Sequence, residues 1–173
     1  MLISQLMQAS NVGFGTSGAR GLVNDMTDRV CYAYTLGFLQ SFDAQSASIK
    51  GRSVALAGDL RASTPRIMRA CIQAIEDFGC QPVFCGYIAT PALALFAQQQ
   101  AIAGIMVTGS HIPDDRNGIK FYKPEGEILK ADEAVIKAQT VKLPEGLFDK
   151  AGAFTCPKAL PDLDLRASAL YLK

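Results

Sequence analysis

Residues Gly104 to Tyr122 constrain the possible folds more than any other stretch of the chain. Gly104-Ile105-Met106-Val107 is a short apolar run, which predicts a buried strand. It breaks abruptly into Thr108-Gly109-Ser110-His111-Ile112-Pro113, small and polar residues closed by a proline that ends regular structure. Gly109 removes a side chain beside Ser110. Asn117-Gly118 predicts a tight turn, and Ile119 to Tyr122 resume a strand-like pattern. The chain's only histidine, His111, adjoins Ser110, and Lys120 lies across the expected turn. A hydroxyl on a tight loop at the end of a buried strand stands where open α/β sheets place their chemistry.

The rest of the chain supplies a sheet for that strand. Residues 1–12 read as a loose lead-in. Gly13 to Gly21 packs four glycines into nine residues around two hydroxyls and Arg20. Such spacing exposes backbone N–H groups that suit a phosphate, although a flexible turn with an incidental arginine has the same composition. Asp25 or Thr27 is placed to cap a helix running to about Asp43. Ser53 to Gly58 reads as a short buried strand. Asp59-Leu60-Arg61 at its end either faces a ligand or forms an Asp–Arg pair bracing one loop against another. Thr64-Pro65 opens a helix that Gly79 closes, with threonine as N-cap. Gln81 to Cys85 makes the next strand, and Thr90-Pro91 starts a helix reaching Gln100.

This alternation predicts an α/β fold with three α/β/α layers, whose sheet is mixed but mostly parallel and holds about four strands. A last helix is expected from Ala131 to Val141, with Asp132 and Glu133 near its positive end. Beyond Lys142 come Pro144, Gly146, Gly152, Pro157 and Pro161, a shift to linker composition. Residues 1–142 are therefore expected as one domain, and 143–173 as a linker with the helical start, from about Leu163, of a truncated second domain.

Composition narrows the function. Hydrophobic residues make up 49% and charged residues 19%, which suits a packed core and excludes a disordered chain. A net charge of +1 gives no field to recruit nucleic acid. Cys31, Cys71, Cys80, Cys85 and Cys156 show no metal-like pairing, and several sit in apolar patterns, as in reduced compartments. No signal-peptide pattern and no membrane-length apolar run is read in the sequence, so a cytoplasmic location without a membrane partner is expected.

Three segments carry a family resemblance. Thr108-Gly109-Ser110-His111-Ile112-Pro113 with Asn117-Gly118-x-Lys120 resembles the phosphoserine loop of the α-D-phosphohexomutases, which include phosphomannomutases, phosphoglucomutases and phosphoglucosamine mutases. Phe14-Gly15-Thr16-Ser17-Gly18-Ala19-Arg20-Gly21 is similar to that family's N-terminal motif. Gly58-Asp59-Leu60-Arg61-Ala62-Ser63 resembles, more weakly, the segment after its next strand. Their order and spacing agree with the family's first domain. The chain departs from the common motif at Gly109 and Ile112, where alanine and asparagine are usual.

The resemblance implies that Ser110 carries a phosphoryl group and ligates magnesium, and that Lys120 is a cationic partner in proton transfer at the sugar hydroxyl. Arg20 becomes a candidate for holding phosphate or assisting proton transfer, and His111 for orienting the loop. Thr16, Ser17, Thr108 and Asn117 join Arg20 as candidate phosphate-binding residues. The implied activity interconverts hexose 1-phosphate and hexose 6-phosphate, of mannose or glucose, through a bisphosphate intermediate. A hexose 1,6-bisphosphate is the implied activator, and a later Asp-Gly-Asp-type loop would supply the other magnesium ligands. The expected partners are a hexose phosphate and the missing C-terminal domains of the same enzyme. Alone, the chain is expected to be inactive and open to self-association as a homo-oligomer. A stand-alone sugar-phosphate-binding or regulatory module and a subunit of a split mutase are the alternatives. Serine hydrolysis is disfavoured: there is no Gly-x-Ser-x-Gly elbow, and His111, adjacent to Ser110, tends to point elsewhere along extended backbone.

Overall fold

The computed structural model describes residues 1–172. The chain starts with helix α1 (Ile3–Ser10) rather than the loose lead-in expected there. Ile3 and Leu6, three residues apart, share one face and are buried, with Ile3 seated against Gly37. The glycine-rich segment is a hairpin of β1 (Gly13–Phe14) and β2 (Gly18–Leu22). Helix α2 (Asp28–Ala44) begins at Thr27, whose hydroxyl accepts the Val30 amide as an N-cap.

Strand β3 (Ser53–Gly58), helix α3 (Thr64–Phe78), strand β4 (Gln81–Tyr87), helix α4 (Thr90–Gln99) and strand β5 (Ala103–Val107) follow in the expected order. Gly79, at φ 91°, closes α3. Thr64 and Thr90 are not the N-caps: Ser63 and Ala89 hold those positions without a side-chain cap bond. Pro65 and Pro91 occupy the first turns, where a missing N–H costs no helical bond. The Thr64 hydroxyl is instead drawn to the Asp59 carboxylate at 2.5 Å.

Strands β6 (Arg116–Lys123) and β7 (Gly126–Glu127) and helices α5 (Lys130–Lys137) and α6 (Arg166–Tyr171) complete the chain. Helix α5 stops before the expected Val141. Val141 is buried, and its amide donates to the Met1 carbonyl. The Asn117-Gly118 turn is corrected: both residues lie inside β6, opposite Gly21 and Arg20 of β2. The turn between β5 and β6 is made by residues 108–115 instead.

The sheet has the order β1-β2-β6-β5-β3-β4, with β7 on the β6 side. It is mixed, as predicted, but not mostly parallel. Only β3–β4 and β3–β5 are parallel pairs, and the other neighbours run antiparallel because β1, β2, β6 and β7 join through short hairpin connections or antiparallel register. Among the described residues it holds seven strands rather than about four, because β1, β2 and β7 are short, glycine-rich pieces without a readable period of two.

Alternation along the strands makes two cores. Leu56, Ile105 and Phe121 face α2 and α3, where Phe38 stacks on Phe121 at 4.5 Å. Ala55, Ala57, Met106 and Tyr122 face α4, joined by Leu93, Phe96 and Ala167. Each large apolar side chain buried this way contributes about 1.5–3 kcal/mol before its lost conformational entropy is subtracted. All five cysteines are free, and only Cys156 is exposed.

Residues 143–172 lie on this unit. Phe148 stacks on Phe154 at 5.1 Å and meets Tyr32 edge-on. The Asp164 amide donates to Phe84 on the outer edge of β4, covering an otherwise open strand. Among the described residues no helix is long and apolar enough to cross a membrane.

Candidate active site

The Thr108–Asp115 loop leaves the carboxyl end of β5 and is held at both ends. The Thr108 amide donates to Gly118 O at 2.9 Å, and the Thr108 hydroxyl accepts the Ser110 amide at 2.9 Å. The Gly109 amide donates to Asp59 Oδ2 at 3.0 Å. Gly109 lets the Arg61 guanidinium pack directly against the loop: a Cβ there would lie 2.2 Å from the guanidinium carbon, and the arginine would have to shift to admit the alanine usual at this position.

Arg61 grips the loop from outside. Its two terminal nitrogens donate to the carbonyls of Ile112 at 2.6 Å, Pro113 at 2.7 Å and Arg116 at 3.0 Å. Its Nε lies 3.3 Å from Asp59 Oδ2. Of the two sequence readings for Asp59 and Arg61, the brace between loops is the one the contacts display. Burial works against charge on Asp59. The Thr64 hydroxyl and the Gly109 and Arg61 amides outweigh it and hold the carboxyl below its usual range.

Ser110 sits at the crest at φ 53°, in the left-handed region uncommon for a non-glycine residue, with its side chain exposed. This bend corrects the expectation for His111. The backbone is not extended, and His111 Nδ1 lies 3.1 Å from Ser110 Oγ. No carboxylate bonds the other ring nitrogen among the described residues, so the pair lacks the third member of a hydrolytic triad.

Sheet register brings Arg20 and Lys120 to the same face. Arg20 pairs with Gly118 and Lys120 with Gly18, so two cations alternate with two glycines on adjacent strands. The Arg20 guanidinium rests over Gly15 and has no hydrogen-bond or ion-pair partner among the described residues. Lys120 Nζ donates to Glu127 Oε1 at 3.0 Å, and the Tyr122 hydroxyl donates to the same oxygen at 3.2 Å. Burial opposes charge on Glu127, yet these partners hold its carboxyl below the usual range.

The remaining candidates divide by exposure. Thr16 is exposed at the hairpin turn between β1 and β2. Ser17 is buried, and its hydroxyl lies beside Glu127 outside hydrogen-bonding geometry, without a partner among the described residues. Asn117 is fully buried. Its amide donates to the hydroxyls of Ser63 and Thr64, and its oxygen accepts the Gly118 amide. In this geometry it faces no solvent and fixes the root of the loop to α3.

A cleft of about 780 Å³ opens next to the loop, lined by Leu22, Asp59, Leu60, Arg61 and Asp114. Ser110, Arg20 and Lys120 do not line it, so the motif residues and this cleft do not coincide. Glu127 escaped the sequence reading. The signal was the Lys123-Pro124-Glu125-Gly126 turn, which folds β7 back so that Glu127 pairs with Tyr122.

Residues 11–145 match the family model described as phosphoglucomutase/phosphomannomutase, alpha/beta/alpha domain I. A phosphomannomutase from Salmonella muenchen is 47% identical over 131 residues, covering 76% of this chain and 27% of the relative. A phosphomannomutase from Sinorhizobium fredii is 44% identical over 130 residues, covering 75% and 27%. A solved structure from Thermus thermophilus shares the fold with a TM-score of 0.70 at 24% identity, over 90% of this chain and 33% of that one. The chain thus matches 27% of the length of the two curated relatives.

Proposed function

The chain belongs to the phosphoglucomutase/phosphomannomutase family, and we propose on that premise that it is the phosphoserine-carrying domain of a hexose phosphate mutase. Ser110 Oγ carries a phosphoryl group and donates it to the free hydroxyl of a hexose monophosphate. The P–O bond to serine breaks as the P–O bond to the sugar forms, and the proton of the sugar hydroxyl passes, with Lys120 assisting, to the released Ser110 oxygen. The bisphosphate then returns its other phosphoryl group to Ser110, and the product leaves as the isomeric monophosphate. The observation that supports this reading is the exposed Ser110 hydroxyl at φ 53° on a loop fixed by Asp59 and Arg61. Phosphoryl transfer asks for positioning and charge neutralisation more than for covalent chemistry, and a braced loop leading into the strand that carries Lys120, paired with the one that carries Arg20, suits that demand. Lys120 and Arg20 face developing phosphate charge, and His111 orients the serine.

Magnesium enters only through the family. This chain offers it one candidate ligand, Ser110, and the described residues hold no cluster of three or more His, Cys, Asp or Glu side chains. That donor set does not by itself fit an octahedral oxygen site. The preferred substrates are mannose and glucose phosphates, in line with the two phosphomannomutase relatives. A hexose 1,6-bisphosphate is the activator that would load Ser110.

The test is peptide mapping of the complete protein from its native source, followed by assay. A phosphoryl group on Ser110 and loss of turnover in Ser110→Ala support the reading; turnover retained in Ser110→Ala overturns it. The 173-residue chain alone, with magnesium and glucose 1,6-bisphosphate, is expected not to convert glucose 1-phosphate. Conversion would sink the domain reading.

A further inference from the structure

We infer that Glu127 is the positioning residue for Lys120, holding its ammonium in place on the reactive face through an ion pair that Tyr122 locks from the other side. The inference deepens the proposed function and rests on that reading of Lys120.

The geometry singles out this carboxylate. Lys120 Nζ and Tyr122 Oη both donate to Glu127 Oε1, at 3.0 and 3.2 Å, so one oxygen is fixed from two directions. Tyr122 is anchored in the core against α4 and takes its place from the sheet. Its neighbour two residues back, Lys120, points to the same face. The β6–β7 pairing sets Glu127 directly across from Tyr122, so strand register and not a mobile side chain defines its position. The Ser17 hydroxyl, itself 2% exposed and unpartnered among the described residues, borders the same carboxylate. A buried hydroxyl without a partner is costly, and rotation toward Glu127 would give it an acceptor.

The electrostatics agree. A lysine on a flexible four-carbon stem loses rotamer freedom when held, and an ion pair at this half-exposed edge sets a direction more than it adds stability. Arg20, two residue pairs along the sheet, has no such carboxylate among the described residues. The two cations are therefore built differently: Lys120 is aimed in advance, while Arg20 is left to meet its anion.

A positioning role makes a specific split. Misplacing a charge that acts at the transition state lowers kcat with little change in KM. In the complete protein, Glu127→Gln is expected to lower kcat roughly 10- to 100-fold, in line with the cost of a displacement of about 1 Å at a reacting centre. KM should stay within about threefold, and Glu127→Asp should recover part of the loss. The second readout is the rate at which Lys120 is acetylated by acetic anhydride, followed by mass spectrometry with Lys123 and Lys130 as internal references. Freed from its ion pair, Lys120 should label faster in Glu127→Gln while the references stay constant. Unchanged kcat, or unchanged Lys120 labelling, overturns the inference while Ser110→Ala inactivity leaves the proposed function standing. Turnover in Ser110→Ala would overturn both, even if Lys120 labelling rises.

Discussion

Arg61 donates to the carbonyl oxygen of Ile112 at 2.6 Å, across 51 residues of sequence. The loop that presents Ser110 is thereby held by a side chain from the neighbouring β3–α3 connection. Hydrogen bonds from a charged donor contribute about 1.5–3 kcal/mol each when lost, and Arg61 directs several at one loop. Arg61→Ala is expected to destabilise the fold by about 2–3 kcal/mol, read as a lower urea midpoint, with faster amide exchange over residues 109–116. Arg61→Lys should recover little, because a point charge does not reproduce the planar fork. A midpoint within error of wild type would remove the brace from the account.

Asp59 ties the same loop to pH. Its carboxyl is held below the usual range, so its stabilising contribution is complete above the unfolded value of about 4. That contribution declines as pH falls through the lowered folded value. Asp59→Asn should therefore be less stable than wild type at pH 7, and the gap in urea midpoint should narrow as pH drops below about 4. A gap independent of pH would mean the amide substitution acts through shape alone.

Two glycines should respond to the same added methyl by different amounts and for different reasons. A Cβ on Gly18 would lie 1.9 Å from Ile119 O, within the backbone of the β2–β6 pair. Strands must separate to admit it, and Gly18→Ala is expected to cost about 3 kcal/mol or prevent folding. Gly51, at φ 79°, has nothing within 4 Å of such a Cβ. Gly51→Ala should cost only the left-handed penalty of about 1–2 kcal/mol. Thermal melting of the two variants checks the contrast, and equal melting temperatures would contradict it.

Ser110 keeps a left-handed backbone that glycine adopts without penalty. Ser110→Gly is expected to be as stable as wild type or better by about 1 kcal/mol, while removing the hydroxyl that the mutase reading requires. Destabilisation of this variant in calorimetry would show that the side chain, and not the bend, holds the loop.

The sequence by itself determined the succession of strands and helices around Ser110. Those signals are local: the Thr27 cap, the stop at Gly79 and the apolar run of β5 each depend on residues within a turn or two. It also marked Ser110, Arg20 and Lys120, through motifs whose spacing survives in one dimension.

Only the tertiary structure decided what those residues touch. Asn117-Gly118 has the composition of a turn, yet pairing with Gly21 and Arg20 and the hydroxyls of Ser63 and Thr64 satisfy it inside a strand. The left-handed Ser110, the reach of Arg61 to Pro113 and the seat of Lys120 on Glu127 follow from strand pairing and loop packing. Side-chain partners of this kind are selected by the register of the sheet, and register is settled by burial of whole faces, not by the residues that later use it.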